Sequence, residues 1–76
     1  MNELLKYIAQ NLVDHPDEVS VTERPGDNET ILELHVAHGD MGQVIGRGGR
    51  IANDLRIILR ALAHRQGQRV SVDIVT

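Results

Sequence analysis

The stretch Asp40-Met41-Gly42-Gln43-Val44-Ile45-Gly46-Arg47-Gly48-Gly49-Arg50-Ile51 decides how this chain folds. A short apolar turn, Met41 to Ile45, is interrupted by the cluster Gly46-Arg47-Gly48-Gly49, and a longer helical pattern starts near Arg50. Asp40 stands where a helix cap is expected. A glycine-rich turn between two helices leaves backbone N–H groups without intrahelical partners, beside the positive end of the second helix dipole, so an anion fits there. Glycine suits the position because a side chain would block close approach of a phosphate or sugar, and because tight turns often need backbone angles that other residues reach only with strain.

Three phosphate-binding templates compete for this turn, and spacing separates them. The Walker A loop needs a Gly-Lys pair followed by a hydroxyl residue. Here no lysine follows, and neither Ser nor Thr lies between residues 31 and 70. The dinucleotide fingerprint needs a third glycine where Ile51 stands, and a strand before the turn where the pattern gives a short helix. Gly46-x-x-Gly49 remains, a spacing that is weak alone and specific only in its context.

Downstream of the turn, Ile51, Leu55, Ile58, Leu59 and Leu62 form a helical stripe that runs to about Arg65, where Gly67 is a natural stop. Val70, Val72 and Ile74 then alternate as a strand. Upstream, residues 2–13 carry Leu4, Leu5, Ile8 and Leu12 at helical spacing, and Asp14-His15-Pro16 ends that helix. Residues 18–24 and 29–37 alternate around the turn Pro25-Gly26-Asp27-Asn28 and read as an antiparallel hairpin. The order is helix, strand, strand, short helix, glycine turn, long helix, strand. This is an α+β layout with a three-stranded mixed sheet, its last strand parallel to its neighbour if adjacent, and helices packed on one face.

Seventy-six residues make one domain at most, with a small margin of stability, and no cysteine is present to staple it. No apolar run approaches the roughly 18 residues of a membrane span, and Met1 to Lys6 lacks the basic and apolar blocks of a secretory signal, so a cytoplasmic location is expected. The net charge of −3 argues at face value against a polyanionic partner. Its distribution reverses that reading. Residues 1–40 hold nine acids against Lys6 and Arg24, a balance of −7, whereas residues 41–76 carry +4, from Arg47, Arg50, Arg56, Arg60, Arg65 and Arg69 against Asp54 and Asp73. Arginine's planar fork matches phosphates and base edges, so the second half reads either as an anion-facing surface or as a solvated helix face.

The stretch around Val44-Ile45-Gly46-x-x-Gly49 resembles the signature of KH domains, and the element order resembles their type II arrangement over essentially the whole chain, a single domain spanning 1–76. More narrowly, Asp40-Met41-Gly42 and the run Ala52 to Leu62 are similar to the small bacterial single-KH proteins of the KhpA family. The resemblance implies a noncatalytic regulator or chaperone that clamps about four nucleotides of single-stranded RNA at the turn. It implies that Gly46 and Gly49 let the RNA backbone approach, that Arg47 and Arg50 supply charge to phosphates, and that Val44, Ile45, Ile51 and Ala52 flank a shallow apolar groove for bases. Ile51 also belongs to the main helix stripe and is expected in the core, and Ile45 divides between core and groove. Gly48 departs from the commoner long or polar residue, which removes one side-chain contact. The family is further known to self-associate or to pair with a larger KH-containing partner, KhpB.

With no Phe or Trp the usual stacking platform is missing, and Tyr7 is expected to pack at the core or its edge, so affinity per domain should be weak. Ile57 and Ala61 lie off the buried stripe and suggest either a helix-to-helix dimer contact or peripheral packing. His15, His35, His38 and His64 make no metal set, no nucleophile stands beside a base, and no cofactor, small-molecule substrate or membrane contact is expected. The competing reading is a protein interaction adaptor that dimerises with another KH-containing protein and touches RNA only incidentally.

Overall fold

Leu32 and Leu34, both buried and two residues apart on one strand, mark where the layers of the molecule meet. A computed structural model describes residues 1–75; Thr76, the last residue of the expected domain, lies outside it. The elements are α1 (Asn2–Gln10), a 3-10 turn Pro16–Glu18, β1 (Ser20–Pro25), β2 (Thr30–His35), a 3-10 turn His38–Asp40, α2 (Met41–Ile45), a 3-10 turn Arg47–Gly49, α3 (Arg50–Arg65) and β3 (Val70–Ile74). The sheet order is β1-β2-β3. β1 runs antiparallel to β2, with Val21 opposite Leu34, and β3 runs parallel to β2, with Val72 opposite Leu32.

One sheet face, carrying Leu32, Leu34, Val70 and Val72, packs against Leu5 and Ala9 of α1, Val44 of α2, and Leu59 and Ala63 of α3. The other face aligns Thr22, Glu33 and Asp73 across the three strands. There the Arg24 Nε donates to Glu33 Oε2 at 3.1 Å, a surface pair worth at most about 1 kcal/mol.

α1 and α3 end where local chemistry ends them. The Asn11 side chain donates to the Tyr7 carbonyl at 2.8 Å while its main-chain N–H points to the same oxygen, closing α1 three residues earlier than the apolar spacing suggested. Leu12 and Val13 still pack on the core, which is why the periodicity overruns the helix. At the end of α3, Gln68 N–H reaches the Ala63 carbonyl and Gly67 N–H the His64 carbonyl, with Gly67 at φ +72°, the paired bonds of a Schellman ending.

Several expectations are corrected. Pro25 is the last residue of β1 and not part of the turn, tolerated because β1 is an edge strand that does not need its N–H. The buried line of α3 is Ala52, Leu55, Leu59 and Ala63, whereas Ile58 and Leu62, assigned to the core stripe, are exposed. On α1, Leu4 is likewise exposed and Ala9 buried, and Tyr7, expected at the core or its edge, is 65% exposed. On both helices alanine shares the buried line with leucine, Ala9 with Leu5 and Ala52 and Ala63 with Leu55 and Leu59, because alanine permits close approach of helix to sheet.

Candidate nucleic-acid interface

α2 and α3 are joined by a turn that the three glycines shape. Gly46 sits at φ 75°, ψ 173°, a region essentially closed to residues with a Cβ. A Cβ there would also meet Ile51 Cγ1 at 2.7 Å. Gly48 and Gly49 follow in left-handed geometry, at φ 64° and 79°, and a Cβ built on either meets nothing within 4 Å. The turn is therefore closed on its inner side by Ile51 and bare on its outer side. Gly46 N–H returns to the Gly42 carbonyl at 2.9 Å to finish α2, and Gly49 N–H to the Gly46 carbonyl at 3.1 Å. No side chain caps the first turn of α3.

Arg47 and Arg50 are exposed on either side of Gly48-Gly49. Among the described residues neither lies within ion-pair distance of a carboxylate. Two guanidinium groups thus stand beside exposed backbone at the positive end of a 16-residue helix, an arrangement suited to a phosphodiester backbone.

The structure divides the residues expected at this site. Gly46, Arg47, Gly48, Gly49 and Arg50 form one continuous surface segment. Ile45 and Ile51 are half-buried, Ile45 resting on the core and Ile51 beneath Gly46. Val44 and Ala52, expected to flank a groove, are buried at 0% and 4% exposure. Two clefts at the far end of α3, lined among others by Asn28, His64, Gln68 and Arg69, share no residue with the turn.

Asp40 occupies the N-cap position of α2, as its place before Met41 suggested, but its side chain is engaged elsewhere. Its carboxylate caps no helix; it is 2% exposed and accepts two hydrogen bonds from His15, one from the main-chain N–H and one from ring Nδ1, both at 3.0 Å to Oδ2. Nearby, Gln43 Nε2 of α2 donates to Asp14 Oδ2 at 3.4 Å. The bond to Asp40 holds the His15 ring above its ordinary pKa, with the Asp40 charge next in effect and smaller contributions from Glu18 and Asp14. The only signal in the sequence was an acid directly before a very short helix. A partner 25 residues away cannot be read from spacing.

The sequence model of the family described as KhpA/KhpB, KH domain, matches residues 2–74. The chain belongs to this KH-domain family. It is 51% identical over 75 residues to the RNA-binding protein KhpA of Clostridium acetobutylicum, covering 99% of this chain and 100% of that protein. The KhpA of Treponema pallidum is 51% identical over 73 residues, 96% of this chain and 91% of the relative. That of Caldanaerobacter subterraneus subsp. tengcongensis is 49% identical over 75 residues, 99% and 100% respectively. No solved structure matches the chain. In this KH domain the match spans the glycine turn, which joins α2 to α3.

Proposed function

We propose that residues 1–76 act as a single type II KH domain that binds single-stranded RNA against Gly46-Arg47-Gly48-Gly49, and that the chain is a binding module and not an enzyme. The observation that carries this reading is the side-chain-bare turn flanked by Arg47 and Arg50, two arginines with no carboxylate partner among the described residues. Membership of a family whose relatives are named RNA-binding proteins supports the ligand, and the parallel pairing of β2 with β3 supports the type II arrangement. In this reading Gly46 and Gly49 admit the RNA backbone, Arg47 and Arg50 meet its phosphates, Ile45 and Ile51 offer apolar contact to bases, and Val44 and Ala52 hold the turn from within. A cytoplasmic setting accords with it; among the described residues no helix is long and apolar enough to cross a membrane.

The test is an anisotropy titration of a labelled single-stranded RNA at several salt concentrations. Two arginine–phosphate contacts on a single strand give a slope of log K against log salt of about −1.4. The Arg47→Asp, Gly48→Asp double variant is expected to lose binding and keep its circular dichroism, because both side chains point to solvent and aspartate tolerates left-handed backbone. Undiminished binding would remove the turn from the interface.

For partners, we propose a homodimer, or a heterodimer with a larger KH-containing protein of KhpB type, formed through the outer face of α3. Ile57 and Ala61 are both exposed there, and Ile58 and Leu62 extend the same apolar patch.

A further inference from the structure

α2 has five residues, too few to hold a helix or its direction by local bonding alone. Its position is set from outside. Val44 anchors one side in the core, and at the amino end Asp40 is tied to His15, with the Gln43–Asp14 bond beside it. The glycine turn is attached to the other end of this helix, so any freedom at Asp40 is passed to the turn as a change in where the bare backbone and Arg47 point. The ring of His15 is 57% exposed, whereas the oxygen it binds belongs to a carboxylate that is 2% exposed. The bond is therefore accessible to protons while its mechanical consequence lies inside the fold.

Resting on the RNA-binding reading above, we propose that His15 and Asp40 are positioning residues for RNA: their bond holds α2 so that the glycine turn is preorganised, and RNA affinity follows the protonation of His15. The charged groups facing the His15 ring are Asp40 at the start of α2, its neighbour Asp14, and Glu18 in the 3-10 turn Pro16–Glu18; all three are acids and favour the imidazolium. Against the Asp40 carboxylate, the imidazolium adds ion-pair attraction to the Nδ1–H···Oδ2 bond and keeps a proton on Nδ1, which the neutral ring can carry on its other nitrogen instead. The tether is thus tight when His15 is charged and slackens as pH rises through the raised folded value. Ordering the site before binding reduces what the ligand must do on arrival, which is how a residue that touches no RNA changes its affinity.

The experiment measures the affinity of the full chain for a labelled single-stranded RNA of about ten nucleotides across pH and salt. It compares the parent with His15→Ala, Asp40→Asn and the double variant. His15→Ala is expected to weaken binding about threefold to tenfold near neutrality. The gap should narrow at alkaline pH, and the salt slope should be unchanged because no phosphate contact is lost. The double variant should bind like Asp40→Asn alone, since the ring bond that His15→Ala removes is the one Asp40→Asn strips of its charge, while the main-chain N–H of residue 15 is present in every variant.

A parent that binds alongside a His15→Ala chain of equal affinity at every pH overturns the proposal. So does a salt slope reduced by about 0.7, which marks His15 itself as a phosphate contact, or single effects that add in the double variant. A parent that fails to bind overturns the RNA reading, and this proposal with it. If Asp40→Asn does not fold, the pH profile and salt slope of His15→Ala, whose exposed ring supports no core packing, decide the matter alone.

Discussion

Gly46 and Gly48 lie two residues apart in one turn and answer to different constraints. Gly46 combines a backbone region that excludes a Cβ with Ile51 Cγ1 at 2.7 Å from where that Cβ would sit. Gly46→Ala is therefore expected to cost about 1–3 kcal/mol, as a residue forced into such a region does, and to shift Ile51. Gly48 is left-handed and faces open space, so Gly48→Asn should cost well under about 1 kcal/mol, asparagine being the side chain that visits this conformation most readily. Urea denaturation of the two variants checks the contrast; equal losses would show that contact with Ile51 is not what restricts Gly46. The sequence showed that this turn needs glycine and left open which glycine is needed for room and which for conformation. That distinction depends on φ and on what lies within a few ångström, neither of which spacing contains.

The elements were legible wherever a pattern of bulky apolar residues matched a face, and misread wherever a small or polar residue took the decisive contact. α2, α3 and β3 fall where spacing put them, yet the buried line of α3 is set by Ala52 and Ala63 as much as by its leucines. Asp40 was read as a cap because acids before helices usually are; it stands at the N-cap position of α2, but its carboxylate turns inward to His15. That contact makes the stability of the α2 segment depend on pH. The folded His15 pKa is raised above its ordinary value, so the contribution is fully present below the unfolded pKa and is lost as pH rises through the folded one. The urea midpoint of the parent should fall between about pH 6 and about pH 8.5 by more than that of His15→Ala, and parallel curves would show that the bond adds no proton-linked stability.

For the molecule as a whole, the arginine-rich second half does not form one cationic surface. Arg56 is occupied at the sheet, its Nε donating to the Val72 carbonyl at 3.2 Å and its Nη1 to Asn53 at 3.3 Å. Arg60 lies ten residues along α3 from Arg50, about 15 Å away by helical rise, so of these arginines Arg47 and Arg50 are the ones that flank the turn. The same helix leaves Ile57 62% and Ile58 48% exposed, a patch whose cover in the proposed dimer is a second α3. Ile57→Asp should shift the sedimentation of the chain toward monomer, and sedimentation like the parent's would place the contact elsewhere. Two joined domains would also raise the effective concentration of a second RNA contact. By itself the sequence determined the order of elements, the break between α2 and α3 and the chemistry of the turn, because apolar period, proline and glycine act through the local backbone. Which apolar side chains lie inside, Val44 and Ala52 among them, and that His15 holds Asp40 emerge only from the folded chain, because each depends on how closely segments distant in the chain approach one another.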